Sequence, residues 1–272
     1  MRLSAHLYRQ HDADPAREVP AEGFGGWFRR EIELAPAHTA LVVMHAWDAQ
    51  TAGVHPGWDR CVEYRPRARR ILTEVFPRLL AAVRRSPLSV FHVVGGRDYY
   101  RHLPGYQRAC RLAGADVAPA QVAPDAVYQR LQALRRDQIH PGAHNQVDVD
   151  AGFARLDFAA EARPVGDEGI AENSAQLAAL CRAHNINHLV YVGFALNWCL
   201  LMSPGGMADM ARHGCLCSTL IEAVTAVENA ETARGEREKA QALWRVAVAF
   251  GFVFSLDDFL AALPASPGPL SS

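Results

Sequence analysis

The stretch His188-Leu-Val-Tyr-Val-Gly-Phe-Ala-Leu-Asn-Trp-Cys199 constrains this chain more than any other. Leu189 to Val192 is an unbroken apolar run, the pattern of a strand buried on both faces; such strands belong to sheets covered by helices on either side. Gly193 ends the run, five residues follow, and Cys199 then opens an apolar stretch able to start a helix. A cysteine there would sit at the positive end of a helix dipole, among backbone N–H groups with no intrahelical partner. Both favour the thiolate, and the same amides can hold an oxyanion. The segment has the form of a nucleophile elbow with cysteine in place of serine. A buried cysteine packed at a strand–helix junction has the same spacing, because free cysteine is among the most buried residue types.

The rest of the chain alternates in a way that suits such a strand. A first strand is predicted at about Ala40–His45, followed by a loop from Trp47 to Arg60 holding Gly53, Pro56 and Gly57. Pro66 then opens a helix whose apolar stripe is Ile71, Val75, Leu79 and Val83. Ser89–Val94 reads as a second strand, stopped by Gly95-Gly96. The region 97–170 is the least regular and contains one helix near Asp125–Arg136. Asn173 or Ser174 can cap the next helix, with Leu177, Leu180 and Cys181 on its apolar face. After Cys199 the sequence Ser203-Pro-Gly-Gly206 should break its helix within about one turn, bending backbone toward the cysteine and leaving Gly205 to shape a pocket. A helix near Glu231–Ala249 and a short strand Phe252–Phe254 complete the pattern.

This alternation predicts a three-layer α/β/α sandwich around a mostly parallel sheet of about six strands, with the Val190–Val192 strand central. Ligands would bind beyond the C-terminal strand ends. His45, Gly95 and Gly193 all lie at such ends, so one cleft can gather them. Residues 1–38 read as an extension packed by Trp27 and Phe28, and 264–272 as a Pro/Ser tail.

Charge and cysteine usage narrow the function classes. Lys+Arg 28 against Asp+Glu 29 gives net charge −1, so no general attraction to nucleic acid is expected. Six cysteines scattered at 61, 110, 181, 199, 215 and 217 suggest reduced thiols in a cytoplasmic protein. Alternation places Cys215 and Cys217 on one strand face as core residues. The N-terminus lacks an apolar signal core, and no run approaches 18 apolar residues; neither a signal peptide nor a membrane partner is expected.

The residues around Cys199 resemble the nucleophile motif of the isochorismatase-like cysteine hydrolases: a strand ending in Gly, then roughly Val/Ile-Ala-Thr-Asn-x-Cys. Gly214, the run Cys215-Leu-Cys-Ser-Thr-Leu-Ile221 and Glu222-Ala223 match the motif's downstream parts, and Thr39-Ala-Leu-Val-Val-Met-His-Ala-Trp47 looks like its first strand. The likeness runs from about Thr39 to the C-terminus, and 39–263 is read as the domain. The resemblance implies a hydrolase of a small amide, ureide or ester, without cofactor, assembled as a homo-oligomer. It implies Cys199 as nucleophile, the amides of Ala195 and Cys199 as oxyanion donors, a cis Phe194–Ala195 peptide, and Asn197 beside the substrate. Two departures bear on this. The family's Asp at the end of the first strand is replaced by His45, and the only lysine, Lys239, follows Cys199 where the family's catalytic lysine precedes it.

Other groups must then carry the proton work. An imidazole at position 45 can take a thiol proton and return it to a leaving group. Asp48 can orient His45 or act itself, and equally suits a turn. Arg163 and Glu168 lie where the missing lysine was expected: Arg163 can stabilise an anion but not shuttle a proton, and Glu168 can pair with His45 or the substrate. Tyr99 and Tyr100 can line the pocket. Asp98 and His102 lack a metal-ligand spacing, and no metal is expected. A catalytically silent fold that binds a small molecule or a partner stays open beside the hydrolase.

Overall fold

The computed structural model describes residues 1–48, 53–115 and 121–265; most of the expected tail, from 266 on, lies outside the described residues. Eight strands form one sheet: β1 (Arg2–Arg9), β2 (Gly26–Glu33), β3 (Thr39–Met44), β4 (Ser89–Val93), β5 (Gly169–Ala171), β6 (His188–Gly193), β7 (Leu216–Val224) and β8 (Val253–Phe254). Their order is β2-β1-β8-β7-β6-β3-β4-β5. The six strands from β8 to β5 are parallel. The strand count exceeds the expected six because residues 2–9 and 26–33 form an antiparallel hairpin whose β1 pairs with β8. The sandwich class and the central place of β6, between β7 and β3, are as the sequence implies.

Helices α1 (Pro56–Cys61), α2 (Arg65–Glu74), α3 (Phe76–Arg84), α4 (Pro104–Ala113), α5 (Ala126–Gln138) and α6 (Gln146–Phe153) lie in the first part of the chain. Helices α7 (Ser174–His184), α8 (Met207–Arg212), α9 (Arg237–Ala249) and α10 (Leu256–Ala262) follow. The single helix expected from Pro66 is two, because Pro77 lacks the N–H that would continue the first helix through Val75. Asn173 caps α7 as expected, its side-chain oxygen accepting the Gln176 N–H at 2.9 Å.

Alternation along the strands builds two cores. Leu41, Val43, Val190, Val192 and Leu220 face α2, α3 and α10, whereas Val42, Met44, Val93, Leu189 and Tyr191 face α7, α8 and α9. All six residues of β3 and all six of β6 are buried. Their pairing ends with Met44 opposite Gly193, and there a side chain is impossible: a Cβ on Gly193 would lie 1.9 Å from the Met44 carbonyl oxygen. None of the described helices is long and apolar enough to cross a membrane.

Candidate active site

The C-terminal ends of the parallel strands point to one edge of the sheet, and the candidate groups gather there through backbone bonds. His45 follows β3 with its N–H donated to Val93 at 3.0 Å, in the left-handed conformation (φ 50°) that few residues with a side chain adopt. Ala46 to Asp48 then pair with 157–159: Ala159 donates to Ala46 at 3.0 Å and Asp48 to Asp157 at 2.9 Å. Phe194 donates to Met44 at 3.2 Å, and Leu196 to Thr225, just past β7, at 2.7 Å.

Cys199 does not open a helix. It is the fourth residue of a one-turn π-helix, Leu196–Leu200, closed by the Leu200 N–H on the Ala195 carbonyl at 3.1 Å. Such wide turns are rare and recur at functional sites. The turn starts at Ala195, and the Phe194–Ala195 peptide is cis, as the resemblance implies. The wide turn carries the cysteine back over its own start, so the Ala195 N–H and the Ser203 hydroxyl lie near enough to the sulfur to favour a thiolate there. Asn197 points the other way, exchanging two hydrogen bonds with Val227; it braces the turn.

The electrostatics run against an ionised pair. Burial pushes the Cys199 thiol up from its ordinary value, and the Ser203 and Ala195 hydrogen bonds offset that only in part. The expected lowering does not occur, because neither a helix N-terminus nor a cation reaches the sulfur. Cys215 is the thiol held below its ordinary value, by its hydrogen bond with Cys181. Burial also pushes the His45 imidazole down to about 4, so it is neutral at pH 7. The ring stacks on Trp47 at 4.7 Å between centroids, and its buried Nδ1 has no hydrogen-bond partner. No hydrogen bond joins His45 to Cys199 among the described residues.

The remaining candidates divide between this edge and other places. Asp48 is exposed and close enough to Arg65 for its charge to bear on that guanidinium. Tyr99 accepts the Trp47 indole N–H at 2.8 Å and packs edge-on against Phe158, so it belongs to an aromatic wall beside His45. Tyr100 is buried and donates to Glu172 at 2.7 Å; it supports that wall from behind. Gly205 is also behind the site, its carbonyl holding the Tyr191 hydroxyl at 2.8 Å. Arg163 pairs with Asp157 at 2.7 Å and reaches the site only through that residue.

Glu168 is not a partner of His45. It precedes β5, at the opposite edge of the sheet, where Arg84 holds it at 2.7 Å and His92 at 2.9 Å. Burial alone would raise its carboxyl, but the hydrogen bonds from His92 and Arg84 win and hold it at about 2. The residue that does follow β5 at the C-terminal edge is Glu172, which the sequence reading missed. Its only signal was a three-residue apolar run, Gly169-Ile-Ala171, before the Asn173 cap. Ser203 and Tyr64 were missed as well; Tyr64 lies near enough to Cys199 for a thiolate there to raise its phenol, already pushed up by burial.

No cluster of three metal-ligating side chains occurs among the described residues. The site is therefore a cysteine on a widened turn, one backbone N–H at its sulfur, a neutral imidazole on an aromatic wall, and carboxylates at the rim.

No family model matches the chain, and no curated protein matches it. Solved structures do. The chain is similar to a cysteine hydrolase from Pseudomonas syringae pv. phaseolicola 1448A at 15% identity, covering 84% of this chain and 93% of that one, with a TM-score of 0.47. It is similar to an isochorismatase-like hydrolase from Alkaliphilus metalliredigens at 16% identity, over 83% and 98% of the two chains, with a TM-score of 0.47. A third likeness is to N-carbamoylsarcosine amidase from Thermoplasma acidophilum: 16% identity, 81% and 97% coverage, and a TM-score of 0.41.

Proposed function

We propose that this chain is a divergent isochorismatase-like cysteine hydrolase that cleaves a small amide, ureide or ester through an acyl-enzyme on Cys199. The observation that carries this reading is the one-turn π-helix that sets Cys199 beside the Ala195 N–H, just past the end of the central strand β6. An amide aimed at the nucleophile stands one bond from where the oxyanion of an attacked carbonyl forms, and it needs no reorganisation during the reaction. The sulfur attacks the carbonyl carbon, and its proton passes to the neutral His45, which returns it to the leaving amine or alcohol; water then releases the acyl group. Among the described residues of the free protein no hydrogen bond joins His45 to the thiol, so this transfer calls for the imidazole to approach the sulfur when substrate binds.

The test is mass spectrometry of the protein incubated with a panel of small carbamoyl, amide and ester compounds. The hydrolase reading expects product, and a transient added mass on the peptide containing Cys199 that Cys199→Ala abolishes. The burial that keeps both Cys199 and His45 uncharged favours a second reading, a silent fold that binds a small molecule over a neutral thiol. That reading expects saturable binding with neither product nor added mass.

We also propose a homo-oligomer of a cytoplasmic protein, assembled through α5. Trp27 on the N-terminal hairpin is 46% exposed, whereas Tyr106 is buried against Tyr100 and offers no surface for assembly. The apolar surface lies on α5, where Val127, Leu131 and Leu134 form a stripe, each at least half exposed; no residue of that helix is buried. A second copy laid antiparallel covers the stripe and sets Asp125, the N-cap of one helix, against Arg135 and Arg136 in the last turn of the other.

A further inference from the structure

A second cleft opens one strand away from Cys199, where β7 ends between α2 and α9. It encloses about 150 Å³ and is lined by Arg67, Arg70 and Ile71, by Glu222, Val224 and Thr225, and by Glu236 and Lys239. One of its polar atoms is left unmet: the Thr225 hydroxyl, on a residue 2% exposed, is buried without a hydrogen-bond partner, and the buried Arg67 Nε has no hydrogen bond either, only a longer ion pair. A buried polar atom without a partner is uncommon and marks a place where something polar belongs.

The charges of this cleft are of both signs and incompletely matched. Lys239 meets Glu236 only at 3.8 Å, and Arg67 meets the same carboxylate through Nε at 3.6 Å. Arg70 and Glu222, both exposed at the mouth of the cleft, have no ion-pair partner among the described residues; Glu222 also accepts the Leu256 N–H at 2.7 Å, and its charge bears on Lys239. A simple anion would satisfy Arg70 and the Thr225 hydroxyl and be repelled by Glu222 and Glu236. A simple cation would do the reverse. A molecule carrying both charges satisfies both. We infer that the cleft at the end of β7 binds a small zwitterionic amino acid, its carboxylate on Arg70, Lys239 and the Thr225 hydroxyl, its ammonium on Glu222. A cavity of this size takes about six non-hydrogen atoms, the size of benzene, which fits an amino acid with little or no side chain.

Isothermal titration calorimetry of the full chain with glycine, β-alanine and 4-aminobutyrate tests the inference, with acetate, methylammonium and inorganic phosphate as controls. At least one amino acid should bind, and acetate and methylammonium should not at the same concentrations. Arg70→Ala and Glu222→Gln should each weaken binding roughly tenfold, the loss of one charge-assisted bond. Thr225→Val should raise the melting temperature of the free protein, because an unmet buried hydroxyl is removed, yet shrink the rise that the amino acid brings. The inference is overturned if none of the three amino acids binds, if acetate, phosphate or methylammonium binds as well as they do, or if the Arg70 and Glu222 variants bind unchanged. Cys199→Ala should leave this binding intact, so a failure here and a failure of the hydrolase are separately visible.

Discussion

Asn197 and Val227 grip each other by two hydrogen bonds, the Asn197 amide donating to the Val227 carbonyl at 2.8 Å and accepting the Val227 N–H at 2.8 Å. This fork fastens the cysteine turn to the chain leaving β7. Asn197→Ala should cost about 2 kcal/mol, since it leaves two part-buried backbone groups unmet, and should quicken alkylation of Cys199 by loosening the turn that buries it. Urea unfolding and peptide mapping of a limiting iodoacetamide reaction measure the two effects. An unchanged alkylation rate would show that the turn holds its shape unaided.

Labelling of the wild-type protein should itself follow the electrostatics described above. At pH 7 limiting iodoacetamide should modify Cys215 ahead of Cys199, and the Cys199 rate should climb only as pH passes above the ordinary thiol range near 8.5. His45→Ala should leave that rate within about twofold, because the imidazole is neutral and bonded to nothing on the sulfur. A rate falling tenfold in His45→Ala would mean that the ring already contacts the thiol in the free protein.

Acid should weaken the fold in two stages. His45 and His188 are both pushed by burial from 6.5 down to about 4. Between those values the unfolded chain binds protons that the folded chain refuses, so stability is fully present above about 6.5 and falls as pH drops toward 4. For His188, buried on β6 and bonded to Ser218 at 2.7 Å, the loss by pH 4 is about 3 kcal/mol. His188→Asn should flatten the dependence in that window. A second loss, from Glu168, should follow only below its ordinary 4.5, as pH approaches about 2.

Glu168→Gln should destabilise the protein by about 3 kcal/mol, because it strips the negative charge from between Arg84 and the buried His92. Chemistry at Cys199 should not change, since the two residues lie at opposite edges of the sheet. A variant of normal stability that lost Cys199 reactivity would contradict this placement.

Leu131→Glu combined with Leu134→Glu should turn the oligomer into a monomer in light scattering while moving the melting temperature of the chain little, because both side chains are more than half exposed. A monomeric wild-type protein at micromolar concentration would remove α5 as an interface.

How much of this was legible in the sequence depends on how far each feature is local. β3 and β6 announce themselves as unbroken apolar runs because both faces are covered, and the Asn173 cap is readable from its own residue type. The hairpin was not legible: Arg29, Arg30, Glu31 and Glu33 crowd β2 with charge, as an edge strand tolerates but a core strand does not. β5 is too short to show a period. Within the site, the cysteine turn could be read from its motif, whereas its π register could not, since that depends on one hydrogen bond between Leu200 and Ala195. Glu168 was misplaced and Glu172 overlooked for a single reason: which end of β5 each occupies is a property of the sheet, and the three residues between them carry no sign of it.

The pairing of β1 with β8 sets an order on the making of this protein. In synthesis the hairpin precedes the other described strands of the sheet, and the two-residue strand that anchors it is the last of them. The hairpin therefore waits with its sheet edge unmet while β3 to β7 are made, and closing it demands a loop that spans them all. Vectorial folding can lay down β3, β4 and β6 as they appear, but the final joint is left until β8 follows, which makes the nascent chain dependent on whatever shields that early ribbon from neighbours.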